Sequence, residues 1–391
     1  MTRPFSGKLV AAAVAGAVLA GAVSVLGVCG PFTDVSDAVF CPFVLEIFYL
    51  GITTGTTATT YDPTGNVTRL QMAAFLSRTV DGVLKRGSRR AALDRFWTSQ
   101  NETVLGLTTL PPGAQWVQSD GKDLWAPSFN GSGVIVRIQA SDGRLLETWT
   151  GATSPEMPLV AMGRVFAVGF TSPNGSLYRL DPSQPAGSVT TVASNLGDRS
   201  NGIAFDGTRI WTANFGGGSN GSVSIVTPSA SLPWTVTTVT TGFTSAYATL
   251  FDGSNVWVTD AASNNLFKLD ANGAILQTVT TAGAAHLPVF DGSNIWVPTS
   301  ASSVTVVRAS SGAVLSILTG NGLGTAYAAA FDGERVLITN IFQDRVSLFK
   351  AADLSPLGSF STGASTNPQG ACSDGLNFWL IFNLPDQLAR F

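Results

Sequence analysis

The sequence predicts a mainly β fold: a seven-bladed β-propeller preceded by a small α-helical N-terminal module. Two observations carry the propeller. A phrase of apolar residues followed by Asp-Gly-x-x-apolar-Trp-apolar recurs at Asp120, Asp206, Asp252, Asp291, Asp332 and Asp374, with a degenerate copy at Met162-Gly163. The steps between copies are 42, 44, 46, 39, 41 and 42 residues, the period of a four-stranded propeller blade. A third observation sets the N-terminal module apart. Before about residue 83 the repeat is absent, and helix-type patterns separated by a glycine-broken loop replace it.

From the N-terminus, Arg3 and Lys8 precede an apolar, small-residue run from Leu9 to Val28, which reads as a signal peptide over residues 1–28. Ala20-Gly21-Ala22 supplies a cleavage candidate, and an uncleaved anchor is the competing reading because the run approaches bilayer length. After cleavage the chain is expected to carry no transmembrane domain. Export makes the three cysteines informative. Cys29 and Cys41 flank one short segment and either pair or stay free; Cys372 reads as a small buried residue of an inner strand.

Residues 29–82 form the N-terminal module. Phe32-Thr33-Asp34-Val35 opens it, an apolar helix runs from Phe40 to Leu50, and Gly51-Ile52-Thr53-Thr54-Gly55 breaks it. A second helix follows Tyr61-Asp62-Pro63, with Thr68 as N-cap and Gln71 three residues on completing a capping box. This segment resembles an S-layer homology module through F-x-D-V, G-I-x-x-G, the Pro-containing loop and the Thr68-Arg69 start of its last motif. The resemblance implies binding of cell-wall or surface polysaccharide through Arg69. Gln71 stands where the family has Glu, and Phe40-Cys41-Pro42 where an aromatic H-W-A pattern is usual. Arg69 pairing within the module is the alternative role. Residues 83–96, with Lys85, Arg86, Arg89, Arg90 and Arg95, read as a basic helical linker, either a solvated face or a contact to an anionic polymer.

The propeller spans residues 97–391. Asp-Gly between apolar runs is a hairpin signal, since Gly accepts positive φ and Asp accepts local hydrogen bonds. Trp125, Trp211, Trp257, Trp296 and Trp379 recur at one register, with Phe166 and Leu337 in the other blades, and read as packing between blades. The last copy supplies three strands and stops, so a strand from Glu102 to Thr108 is expected to complete it and close the ring.

Five residues before each Asp-Gly stand Gln115, Met157, Asn201, Tyr247, His286, Tyr327 and Gln369. Three past each aromatic position stand Ser128, Gly169, Asn214, Asp260, Thr299, Asn340 and Phe382. Both sets are expected on the face at the channel mouth. Gln115, Asn201, Tyr247, His286, Tyr327 and Gln369 are the candidate ligand-binding residues, for a protein or carbohydrate ligand; a water-filled rim without a ligand is the alternative. Asn201, Asn214, Asp260 and Asn340 offer oxygens to a hard cation, Ca²⁺ or Mg²⁺, although no cofactor is required by the pattern. No residue is assigned a catalytic role. A formal net charge of −3 with 12% charged residues leaves no basic surface for nucleic acid.

The phrases Asn201-Gly202-Ile203-Ala204-Phe205-Asp206-Gly207 and Asp291-Gly292-Ser293-Asn294-Ile295-Trp296-Val297 resemble propellers of the N-H-L, Y-V-T-N and streptogramin-lyase-like group. The lyase branch implies more than one histidine and a Glu near Mg²⁺, whereas His286 is the single histidine here. Three functional readings follow. The first is an exported cell-envelope protein, attached through the module and binding through a propeller face. The second is a secreted metal-dependent lyase- or lactonase-like enzyme, and the third a structural surface-layer component.

Overall fold

Each Asp-Gly pair turns one strand into the next, with the glycines of the six Asp-Gly turns holding φ from 85° to 99°. In a computed structural model, residues 29–79 save 30, 38, 50, 51, 77 and 78, and residues 107–391 save 131 and 132, are described. The expected signal peptide, the basic linker and residues 97–106 lie outside the described residues. The chain divides into two compact units, 1–98 and 99–391. Among the described residues no helix is long and apolar enough to cross a membrane.

In the first unit, Phe32 is fully buried against Val35, Val44 and Phe48, and its ring meets Phe48 edge-on at 5.1 Å. A disulfide joins Cys29 to Cys41 at the head of the helix Cys41–Tyr49. The Asp34 carboxylate receives the backbone N–H groups of Tyr61 and Asp62 at 2.8–3.1 Å, which ties the Pro-containing loop to the opening motif. Gly55 has φ +77°, and a Cβ there would lie 2.5 Å from the Phe32 ring. The expected capping box forms at the helix spanning 69–76: Gln71 N–H donates to Thr68 Oγ1, and Thr68 N–H to Gln71 Oε1 at 2.8 Å. Gln71 thus closes the start of this helix. Arg69 and Leu70 are exposed.

The second unit contains seven four-stranded antiparallel sheets. Blade 3 shows the plan: an inner strand Ser200–Phe205, then Ile210–Asn214, Ser222–Thr227 and the outer Thr235–Val239. The last blade uses Pro368–Ser373, Phe378–Phe382 and Gln387–Arg390, and its outermost strand is Leu107–Thr109, paired with residues 387–389. The N-terminal strand therefore closes the ring as expected, over its described residues. Thr108 also donates its hydroxyl to the Gly143 carbonyl at 2.6 Å, holding the clasp to the first blade.

The recurring aromatic residues are buried, each against the next blade. Trp125 packs on Val165 and Ala167, Trp211 on Val256 and Val258, and Trp379 on Leu124 and Ala126 across the closure. Each indole N–H is met by the Asp five residues earlier. Asp252 Oδ1 takes the N–H groups of Ser254 and Asn255, while its Oδ2 takes Trp257 Nε1–H at 2.7 Å. The two exceptional blades adjust together. The Phe166 ring has no N–H and its turn has no Asp; where Leu337 stands, Arg335 Nε–H donates to Asp332 Oδ2 at 3.0 Å instead.

Candidate functional site

At the start of every inner strand, one residue pairs with the position three past the aromatic. These pairs include Ala114 with Ser128, Ser200 with Asn214, Ala246 with Asp260 and Ala326 with Asn340. The two sequence-derived rings are therefore neighbours at one end of the channel. In five blades the register shifts immediately after this pair, as between Ser200 and Gly202 or Ala246 and Ala248. Such a bulge takes a residue out of the ladder and re-aims its side chain, and Asn201 and Tyr247 are those residues. Gly202 follows Asn201 because the neighbouring blade runs against it; a Cβ would meet the Ala248 Cα at 2.5 Å.

Blade 2 corrects the sequence reading. Ten residues before the aromatic position stand Gln115, Glu156, Asn201, Tyr247, His286, Tyr327 and Gln369. The Met162-Gly163 turn is one residue shorter than the Asp-Gly turns, so counting back from the turn lands on Met157. The register, Pro155 opposite Gly169 and Pro158 opposite Ala167, puts Glu156 at the position held by Asn201 in blade 3. Counting from the aromatic residue recovers it.

Glu156 is the chemical centre of the rim. It is 5% exposed, and the Trp116 indole N–H donates to its Oε2. Burial outweighs that hydrogen bond and raises its carboxyl to about 7. The Trp116 ring stacks on Tyr327 at 5.8 Å with 13° between planes. Tyr327 meets His286 at 5.0 Å, and His286 meets Tyr247 at 5.7 Å. The Tyr247 and Tyr327 hydroxyls are hydrogen-bonded to each other. Burial pushes Tyr327 up to about 12, with the Glu156 charge adding to it; Tyr247 rises well above the ordinary value through burial and the adjacent Tyr327.

His286 Nδ1 lies 2.8 Å from the Ala326 carbonyl, so Nδ1 carries the proton. Burial lowers the histidine despite this bond, keeping the ring neutral and its Nε2 an acceptor. Asn201 Nδ2–H donates to the Tyr247 carbonyl at 3.0 Å. Gln369 is buried, and its Oε1 has no hydrogen-bond partner. Gln115 is half-buried, and its carbonyl accepts the Gly370 N–H at 2.9 Å. Beside this cluster an aromatic arc continues through Phe215, Phe170 and Phe129, with neighbouring ring centres 5.7–6.5 Å apart.

The proposed oxygen ligands divide. Asn201 stays with the rim, while Asn214, Asp260 and Asn340 are buried within their blades. Asn214 bonds Ser200, Thr212, Ser222 and Ser224. Both Asp260 oxygens take donors from residues 244, 245 and 263, and Asn340 Oδ1 takes the Gly324 N–H. Every residue of these second strands from Ile210 to Asn214 and from Val256 to Asp260 is buried, so the position three past the aromatic knits loops together. Below the aromatic cluster lies a cavity of about 450 Å³ lined by residues such as Leu159, Ile203, Leu250, Ala329 and Cys372. Burial pushes the Cys372 thiol up, which keeps it protonated.

Residues 31–73 match the S-layer homology domain family. A search of curated proteins finds no match. Among solved structures the chain is similar to a catalytically inactive virginiamycin B lyase from Staphylococcus aureus, solved with quinupristin. That likeness has TM-score 0.59 and 14% identity and covers 73% of this chain and 98% of that one. A streptogramin B lyase is similar at TM-score 0.60 and 14% identity, over 75% and 99% of the two chains. Kuenenia stuttgartiensis hydrazine synthase is similar at TM-score 0.60 and 16% identity, over 72% and 95%. At these identities the likeness establishes the propeller fold alone.

Proposed function

We propose that this is an exported cell-envelope protein whose S-layer homology domain holds it to wall or surface polysaccharide and whose propeller rim takes a ligand. The observation that carries the attachment is the domain at residues 31–73, which indicates a surface-associated protein. The apolar run from Leu9 to Val28 supports export. The rim is nominated for the ligand because it gathers a carboxyl, two phenols, an imidazole and an indole in one concave cluster. Co-sedimentation with purified envelope polysaccharide tests attachment. The intact mature protein is expected to pellet, a chain lacking residues 29–82 to stay in solution, and Arg69→Ala to pellet less. Equal pelleting by all three would reject the reading.

Glu156 favours a second reading, an acid–base enzyme at the same rim. A buried carboxyl raised to about 7 is poised to exchange protons near neutrality. Any dependence on Ca²⁺ or Mg²⁺ belongs to this reading, with Asn201 as the ligand candidate still at the rim. Lactone opening or cyclic-depsipeptide cleavage assayed with and without chelator, in the wild type and in Glu156→Gln, decides it; no turnover above the Glu156→Gln background removes it.

A further inference from the structure

We infer that the cluster of Glu156, Trp116, Tyr247, Tyr327, His286 and Gln369 is a binding site for an organic ammonium ion, a protonated amine or quaternary ammonium carried by the ligand. This rests on the reading of the rim as the ligand-binding face and names the chemistry that face recognises.

The argument starts from what the cluster lacks. Several of its donors are spent: the Trp116 N–H on Glu156 Oε2, the His286 Nδ1–H on the Ala326 carbonyl and one phenol on the other, which leaves the second phenol O–H and the Gln369 amide. Its acceptors are not. Among the described residues no donor meets Glu156 Oε1, and Gln369, 7% exposed, holds an Oε1 without a partner. His286 Nε2 is a third acceptor. Around them stand the faces of an indole, two phenols and an imidazole in mutual contact. None of the seven rim positions is cationic, and Arg199, close by in sequence, has its guanidinium against Gly217.

A buried carboxylate without a cation is costly, and aromatic faces attract cations within about 6 Å of the ring centre. An organic ammonium answers both at once, bringing N–H or polarised C–H groups to the acceptors and positive charge to the rings. A hard metal ion fits less well. Ca²⁺ takes about six to eight oxygens, and the described residues contain no group of three or more His, Cys, Asp or Glu placed to hold a metal. An anion would meet Glu156 and the ring faces, and is repelled.

Glu156 also makes the site sensitive to pH. The groups facing it are Trp116, Tyr247 and Tyr327, which do not titrate near neutrality, and His286, which burial keeps neutral there. The carboxylate is the form that binds a cation, so affinity for a permanently charged ammonium rises as pH climbs through about 7.

Calorimetric titration of the full mature protein with choline and with its neutral isostere 3,3-dimethylbutan-1-ol tests the proposal. Choline is expected to bind at least about tenfold more tightly than the isostere at about pH 8, and to weaken about tenfold by about pH 6. Glu156→Gln should abolish both the preference and the pH step. The wild-type pH series needs no variant, so it stands even if Glu156→Gln folds poorly. Equal binding of choline and isostere would overturn the ammonium site while leaving a ligand-binding rim. No choline binding by a protein that still pellets with envelope polysaccharide would also overturn it, and attachment would be untouched. A pH step that survives in Glu156→Gln would overturn the role of the carboxyl.

Discussion

The two ends of the propeller channel are built on opposite plans. At the Asp-Gly end the same bonds recur from blade to blade: Asp120, Asp206, Asp252, Asp291 and Asp374 each hold a tight turn and a Trp indole five residues on. At the rim the seven equivalent positions carry five residue types, among them an acid, two phenols and an imidazole. Repetition prevails where every blade has the same local donors to satisfy. Diversity appears where the blades face one shared space, and there the contacts run between blades, as from Trp116 to Tyr327 and from Trp116 to Glu156. The first plan builds the scaffold, and the second is free to specify chemistry.

If this division is right, changes to the repeated scaffold should destabilise, and changes at the rim should leave the fold standing or even strengthen it. The largest effect is expected from deleting residues 97–110, which removes the strand paired with residues 387–389 and opens a sheet edge. The propeller should lose cooperative unfolding altogether, a loss on the scale of a domain's whole stability, about 5–15 kcal/mol. An unchanged melting temperature by circular dichroism would break the clasp argument. Trp257→Ala comes next, at about 3–5 kcal/mol by urea denaturation, because the ring is fully buried against the following blade. A cost below about 1 kcal/mol would mean the repeated ring is not packing.

Glu156→Gln should act with the opposite sign. Its carboxyl is raised from an ordinary 4.5 to about 7 in the fold, so the folded state binds the extra proton between those values. The contribution to stability is complete below about 4.5 and is lost as pH rises through about 7, a swing of about 3 kcal/mol. The variant should therefore be more stable than wild type at about pH 8, with a flatter dependence of melting temperature on pH. A variant less stable than wild type at that pH would show that the Trp116–Glu156 bond serves the scaffold. The smallest effect is expected at Gln115→Ala, within about 0.5 kcal/mol for a half-buried side chain away from the cluster's bonds. A cost several times larger would blur the distinction between the two ends.

Much of the scaffold was legible because its causes are local. Asp, Gly and Trp act within six residues of one another, and the capping box of Thr68 and Gln71 within four. Their spacing therefore survives in the linear pattern. The candidate site was legible in part. Tyr247, His286, Tyr327, Asn201 and Gln369 were reached by counting along a constant blade. Glu156 was displaced by one residue because the Met162-Gly163 turn is shorter, and Trp116 carried no repeat mark at all. Asn214, Asp260 and Asn340 lie beside the rim in the ladder yet turn into their blades, a choice made by loop donors that sequence spacing does not reveal.

The amino-acid sequence by itself determined the number of blades, the register of their turns, the residue packed between neighbours and the strand that closes the ring. Each follows from a periodic pattern of apolar residues and turn chemistry acting over short distances. Only the tertiary structure decided that Glu156 sits beneath Trp116, Tyr247 and Tyr327, residues from four different blades. Proximity around a channel axis depends on the closure of the whole ring, and the inner-strand bulges re-aim side chains in ways that a period of two does not record.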